Sequence, residues 1–334
     1  MRRCHLRSLT RTRGAVPNRI TSGITALALF SAMGLLVTLA TANTPPASSS
    51  QKKEKKVHAL RWDPPRVDAP IPSLSVTPPC ALPDVLKLAG QRAEELVDHL
   101  QNFIAHEQVR YEQTNSPVML GMPIATGTQQ IGSEQTEMSF AAKFDYIVDF
   151  GKQSEPLQVH ETRTPLAGTD DGHLSAIVDK GLPVLALIFY PATQSDYEMR
   201  CEGSTHWNDE LAWVVHFRQI KGKRPRTVTM ETPTKVYPLS LKGRAWIAAD
   251  SGQVMHLETN LLGGIPMIGL EESAFSVDYA PVKFQSQNVD IWLPHRAVAY
   301  TDYAKRRMIT EHTFSDFQLF SVQTQEIIQK PKEP

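Results

Sequence analysis

The sequence has few cysteines, no excess of charge of either sign and a low mean hydropathy, and each of these excludes a class of protein. Cysteine occurs only three times among 334 residues, which excludes a small scaffold held together by dense disulfides. Basic and acidic side chains are equal in number, 35 of each, and this balance argues against a nucleic-acid-binding protein. The mean hydropathy of −0.28 excludes a polytopic membrane protein. The chain is long enough for one large domain or two ordinary ones.

Motifs that catalysis usually requires are also missing. His106-Glu107 and His160-Glu161 begin like the helix of a zinc protease, but neither pair has a second histidine one turn later. There is no G-x-S-x-G elbow for a serine nucleophile and no C-x-x-C pair for redox exchange. Glu95 and His99 lie four residues apart, a spacing more typical of a surface pair than of a metal site. We therefore predict no catalytic residue, metal or cofactor.

The first 42 residues have the three parts of an export signal. Six arginines and no acidic residue occupy the first 23 positions, and an uncharged apolar run follows from Ile24 to Ala42. The run ends in Ala40-Thr41-Ala42, a small-residue pattern that signal peptidases accept. The alternative to cleavage before Asn43 is a membrane anchor, since about 17 to 25 apolar residues span a bilayer. Both alternatives place the remaining chain outside the cytoplasm, in the periplasm or the extracellular space.

Loss of residues 1–42 changes the composition of the remainder. The mature chain has 29 basic and 35 acidic side chains, a net charge of −6, and two cysteines, Cys80 and Cys201. In an oxidising compartment these two can form one disulfide; the alternative is two separate buried thiols. From Cys80 onward the net charge is −9.

Composition divides the mature chain into three parts. Residues 43–79 are rich in proline, serine and lysine, and we predict that they form a disordered tether because they cannot build a core. Residues 80–322 are predicted to form one α+β domain. Residues 323–334 are predicted to be a polar tail.

A helix begins the predicted domain. Pro83 suits a first helical turn, and Asp84 lies where the helix dipole favours a negative charge. Apolar residues then recur at three- and four-residue steps from Leu86 to Ile104. This spacing predicts an amphipathic helix of about twenty residues.

After the helix, the apolar period changes from 3.6 to 2, which predicts strands. The longest alternation runs from Met138 to Phe150, with apolar side chains on one face and mostly polar ones on the other. Shorter alternations follow from Leu211, and Asp250-Ser251-Gly252 is predicted to be a hairpin turn.

The segment from His173 to Tyr190 fits either a buried strand or a short helix interrupted by Pro183, and we predict the helix. The complete prediction is an α+β fold. It contains an N-terminal amphipathic helix followed by a large antiparallel, curled β-sheet of about eight to ten strands, an incomplete β-barrel with a short helix inserted.

Several motifs in the strand region occur together in one known group. A strand–turn–strand unit is formed by Gly243-Arg244-Ala245-Trp246-Ile247, Asp250-Ser251-Gly252 and Met255-His256-Leu257-Glu258, and Trp292-Leu293-Pro294-His295 ends a later strand. With these motifs, residues 200–322 resemble the periplasmic lipoprotein carriers, which include outer-membrane lipoprotein-sorting proteins and related lipid-binding half-barrels. The resemblance implies an incomplete β-barrel with helices in its concave side and an apolar cavity for acyl chains.

The leading hypothesis is an exported, non-catalytic half-barrel that binds a lipid or a lipoprotein acyl chain by burial. The alternative is an envelope interaction module with a filled core, and a hydrolase is the third. No nucleic-acid partner is expected, and an uncleaved N-terminal segment would keep the domain near a membrane. The candidate ligand-lining residues, each of which could equally be ordinary core, are Phe140, Phe144, Tyr146, Phe150, Trp213 and Phe217. The candidate partner-contact residues form a basic loop on an acidic body: Lys221, Lys223, Arg224 and Arg226.

Overall fold

A computed structural model provides the structure of the chain from residue 59 to residue 319, with gaps. The described residues are 59–71, 73–76, 79–99, 102–115, 136–151, 158–170, 172, 180–182, 184–225, 228–231, 235–284 and 289–319. The predicted signal, the first part of the predicted tether and the predicted tail lie outside these ranges. The described residues all belong to one compact unit. No helix in the described ranges is long and apolar enough to cross a membrane.

Ten strands form one antiparallel sheet, and two short strands form a separate hairpin. The strands of the large sheet are β1 (Asn102–Asn115), β2 (Thr136–Gly151), β3 (Gln158–Pro165), β4 (Tyr197–Trp207), β5 (Glu210–Gln219), β8 (Leu241–Ala248), β9 (Val254–Leu261), β10 (Leu270–Phe284), β11 (Val289–Tyr303) and β12 (Arg306–Leu319). The hairpin consists of β6 (Thr229–Glu231) and β7 (Val236–Pro238).

The large sheet is curled but does not close into a barrel. Its strand order is β3-β2-β1-β12-β11-β10-β9-β8-β5-β4, so β3 and β4 are the two edges and do not pair with each other. The prediction of a large, curled, antiparallel and unclosed sheet is therefore confirmed. The turn between β8 and β9 is the predicted one, and its Gly252 has a φ of +72°, a conformation that glycine adopts without a steric penalty.

One face of the sheet, here called the inner face, shares a single core with helix α1 (Leu82–His99). The 3-10 helix Leu185–Phe189, whose five residues are all buried, and the short helix α2 (Pro191–Gln194) also lie on this side. The Gln194 side chain donates hydrogen bonds to the backbone oxygens of Leu86 and Phe189, which joins α1 to the 3-10 helix. The inserted helix was predicted within His173 to Tyr190. In the structure, residues 185–189 of this segment form a 3-10 helix, and residues 173–179 lie outside the described ranges.

Two boundaries differ from the predictions. The predicted helix extends too far, because Phe103 and Ile104 belong to β1, where Phe103 pairs with Val148 on one side and Leu319 on the other. The alternations from Val289 to Leu293 and from Val298 to Tyr300, which the sequence suggests as separate strands, belong to the single strand β11. The alternation changes phase between Pro294 and Arg296, opposite Asp278 and Tyr279, where the register with β10 shifts.

Residues 59–71 and 73–76, here called the strap, cross the outer face of the sheet. The Leu60 amide donates to Glu112 Oε1 on β1 at 2.9 Å, and the Trp62 ring lies edge-on to Tyr300 of β11, with 5.7 Å between centroids. Asp68 Oδ1 is 3.1 Å from His216 Nε2 of β5. At the far edge, Ser75 exchanges backbone hydrogen bonds with Ser204 of β4.

The prediction of a disordered tether over residues 43–79 is wrong for the strap. Three of its apolar side chains are packed: Val67 is 1% exposed, and Ile71 and Leu74 pack against an outer-face cluster around Val214 and Trp246. Average composition over the whole segment conceals these contacts.

The predicted disulfide is present. Cys80, which follows the strap and precedes α1, is bonded to Cys201 on edge strand β4, with 6.3 Å between the Cα atoms. The bond therefore ties the beginning of α1, on the inner face, to the edge of the sheet.

Candidate functional site

A cleft of about 60 Å³ separates α1 from one end of the sheet. Its lining comes from α1, the 3-10 helix, the β8–β9 turn, β9, β10 and β11. The apolar lining residues are Ala89, Ala93, Leu96, Ala186, Val254, Ile291 and Trp292, with Tyr279 beside them. The polar lining residues are Arg92, Glu95, Gln253 and Asp290.

The cleft exists because α1 presents small side chains to this end of the sheet. Ala89 and Ala93 are four residues apart and therefore lie on the same face of the helix. Neither side chain extends beyond Cβ, so neither fills the space up to Val254 and Ile291. On the adjacent side, Gly90 lets the helix approach α2, since a Cβ there would lie 3.0 Å from Gln194 Nε2.

Arg92 is the cation of the cleft lining. Its Nε donates a hydrogen bond to the Ser251 carbonyl at 2.8 Å, and one Nη donates to Glu95 Oε2 at 2.7 Å. The side chains of Arg92 and Glu95 are 34% and 52% exposed, so water screens their attraction and the pair adds little stability. The bond to Ser251 nevertheless fixes where the guanidinium lies.

The cleft is small compared with ligand pockets, which typically occupy about 300–1,000 Å³. Its two walls belong to separate elements, a helix and a sheet. Movement of α1 away from β9–β11 would therefore widen the cleft without breaking any strand pair.

A second feature of the inner face is an ion pair that is almost fully buried. Arg163 of β3 donates two hydrogen bonds to the Glu107 carboxylate of β1, at 2.7 and 3.0 Å. His312 Nδ1 of β12 lies 2.7 Å from the same carboxylate. Burial raises the pKa of Glu107, but the charge of Arg163 and the hydrogen bond with His312 outweigh it and lower that pKa to about 2.

A second carboxylate lies beside this pair. Glu161 of β3 accepts a hydrogen bond from the Gly181 amide at 2.7 Å, which connects the edge strand to the chain that leads into the 3-10 helix. Burial raises the pKa of Glu161, although Arg163 and the Gly181 amide favour its charged form. Burial also raises the pKa of the neighbouring Tyr146 hydroxyl, over whose ring Arg163 lies at 5.0 Å.

We expect Glu107 to make the protein sensitive to acid. Its pKa is lower in the folded state, so its contribution is complete above the unfolded value of 4.5 and is lost as the pH falls towards 2. The shift corresponds to about 3 kcal/mol. Urea unfolding at a series of pH values should show this loss in the wild type and a shallower acid dependence in Glu107→Gln. Identical pH dependence in both proteins would contradict the assignment.

The predicted ligand-lining residues lie in different parts of the inner face. Tyr146 and Phe217 belong to the main core, and Trp213 packs against it. Phe144 and Phe140 belong to a smaller cluster near Val109. The side chain of Phe150 lies outside the described part of the structure. None of the five described side chains lines the cleft.

The predicted partner-contact loop is at the surface. Lys221 and Arg224 are exposed, while Lys223 Nζ lies 3.4 Å from Asp196 Oδ1. Arg226 lies outside the described residues.

Sequence reasoning missed both the cleft and the buried ion pair. A signal for the ion pair existed, because Glu107 occupies the same inward row as Ala105, Val109 and Tyr111. The row was concealed because the strand itself was not predicted. Among the described residues, no group of three His, Cys, Asp or Glu side chains is placed to hold a metal.

Comparisons with known proteins found matches among solved structures. No protein-family model matches the sequence, and no curated protein matches it. A domain from Vibrio parahaemolyticus assigned to outer membrane lipoprotein sorting matches with 10% identity over 72% of this chain and 94% of its own, at a TM-score of 0.37. A DUF1329 family protein from Desulfovibrio piger matches with 10% identity over 72% and 93%, at a TM-score of 0.37. A LolA superfamily protein from Nitrosomonas europaea matches with 10% identity over 71% of this chain and 94% of its own, at a TM-score of 0.33.

Proposed function

We propose that this protein is a non-catalytic binding protein that acts outside the cytoplasm and takes up an apolar chain in the cleft beside α1. The ligand class is an acyl chain of a lipid or of a lipoprotein. The observation that carries the proposal is the lining of the cleft, which has an apolar floor and a polar mouth and lies between a helix and a sheet.

The driving force would be burial of methylene groups. Each CH₂ group removed from water contributes about 0.8 kcal/mol, so eight of them contribute about 6 kcal/mol. The cleft of about 60 Å³ is too small for such a chain, so α1 has to move when the ligand binds. The cost of this movement offsets part of the free energy of burial.

The filled inner face favours a second candidate, an envelope interaction module that docks a partner through its surface. Leu185, Ile188 and Phe189 occupy the space that an open groove would leave. This candidate uses the basic loop, so replacing Lys221, Lys223, Arg224 and Arg226 by neutral residues would abolish partner binding.

A bulky side chain in the cleft should block the ligand. We expect Ala93→Trp to weaken binding of the uncharged apolar probe N-phenyl-1-naphthylamine at least tenfold, because the indole would occupy the space between α1 and β9–β11. A tenfold loss corresponds to about 1.4 kcal/mol, less than two methylene groups. The measurement is a fluorescence titration of the mature protein.

Glu94→Trp is the matched control, because position 94 is adjacent but faces solvent. It should bind the probe as the wild type does. Equal binding by wild type and Ala93→Trp would contradict the proposed site. Absence of binding by the wild type would favour the interaction module.

A further inference from the structure

The mouth of the cleft carries four polar side chains from three separate elements. Arg92 and Glu95 come from α1, Gln253 from the turn before β9, and Asp290 from the beginning of β11. They lie around an apolar floor, an arrangement typical of sites that orient a ligand by its polar group. A ligand with an apolar chain and a polar end would therefore use both parts of the cleft.

The signs of the charges at the mouth restrict which charge the polar end of the ligand can carry. The mouth has one guanidinium and two carboxylates. A purely anionic group would meet Arg92 but also face Glu95 and Asp290. A purely cationic group would meet the carboxylates but face Arg92. A zwitterionic group can place each of its charges against an opposite one.

The Arg92–Glu95 pair places a positive and a negative group side by side, so each can contact the opposite charge of a zwitterion. Its opposite charges lie 2.7 Å apart and are partly exposed, so the pair is weak and can exchange partners. The Ser251 carbonyl holds Nε of Arg92, and one Nη donates to Glu95, so a phosphate that binds both Nη groups takes the place of the Glu95 carboxylate on the first of them. A guanidinium with a fixed plane is well suited to a phosphate, whose oxygens can accept two parallel hydrogen bonds from it.

We infer that the ligand of the cleft is a single-chain amphiphile with a zwitterionic head group that carries a phosphate and an ammonium group. Arg92 binds its phosphate, and Glu95 or Asp290 lies against its ammonium group. This inference rests on the proposed function, because the chain of the same ligand occupies the apolar floor.

The test compares four ligands with the same twelve-carbon chain, each competing with N-phenyl-1-naphthylamine below its critical micelle concentration. They are lauroyl-lysophosphatidylethanolamine, lauroyl-lysophosphatidylglycerol, dodecylammonium and dodecanol. We expect the zwitterion to bind at least tenfold more tightly than each of the others, since hydrogen bonds to charged groups contribute that much when partly desolvated.

Arg92→Gln should bind the zwitterion and dodecanol with nearly equal affinity, which removes the tenfold gap expected for the wild type. Arg218→Gln, which changes an exposed arginine of β5 that does not line the cleft, should leave the gap unchanged. Equal binding of the four ligands, or tightest binding of the anion or the cation, would overturn the head-group inference while the proposed function stands. Binding of none of the four would overturn both.

Discussion

Replacement of Arg163 by methionine should lower the free energy of unfolding by about 3 kcal/mol. The substitution removes both hydrogen bonds to Glu107 and leaves that carboxylate buried next to Glu161. Removing one partner of a buried ion pair typically costs about 3–5 kcal/mol. We expect the lower end of that range, because His312 still lies 2.7 Å from the carboxylate. The measurement is urea unfolding followed by tryptophan fluorescence.

A double substitution separates the cost of an unpaired charge from the cost of altered packing. In Glu107→Leu/Arg163→Met no buried charge of this pair is left without its partner, so the double variant should lose less than half of what Arg163→Met loses. An equal or larger loss in the double variant would contradict an unpaired Glu107 charge as the main cost, and would assign the loss to packing or to Glu161 and His312, which also lose a partner.

Loss of the Cys80–Cys201 disulfide should lower the free energy of unfolding by about 5 kcal/mol. The two cysteines are 121 residues apart, and in the loop-entropy model a crosslink over this distance restricts the unfolded chain by that amount. The bond also holds the beginning of α1 against β4, so its loss should affect the wall of the cleft. The measurement compares urea unfolding of the mature wild type with that of Cys80→Ser/Cys201→Ser.

Reduction supplies the control for this second experiment. Treatment of the wild type with a reducing agent should reproduce the loss, and the same treatment should leave the double variant unchanged. Unfolding of the double variant at the same urea concentration as the oxidised wild type would contradict a stabilising role for the bond.

The sheet was predictable where its pattern is local. The side chains of β2 alternate along the strand itself, and Ala142, Phe144, Tyr146 and Val148 are the buried ones. The disulfide was predictable because only two cysteines follow the predicted export signal. In both cases, the determining residues are few and their relation requires no knowledge of the fold.

Other features depend on contacts between distant residues. Strand β1 has Glu107 in its inward row, and a buried carboxylate is acceptable there only because Arg163 and His312 arrive from other strands. The strap has few apolar residues and is ordered by partners such as His216 and Tyr300 on the sheet. Local sequence contains neither relation.

The cleft was not predictable for the same reason. Its lining joins positions near 90, 186, 254, 279 and 291, which only the curled sheet brings together. The aromatic residues proposed as a lining were chosen from two strands with a strong pattern, and that pattern marks buried side chains without distinguishing a cavity from a core.

The central claim is that the cleft beside α1 takes up an apolar chain. Native mass spectrometry of mature protein incubated with a lipid extract tests it most directly, because a bound lipid appears as an added mass. We predict one added lipid mass in the wild type and in Glu94→Trp, and none in Ala93→Trp. An unliganded mass for all three proteins, or the same adduct in all three, would contradict the claim.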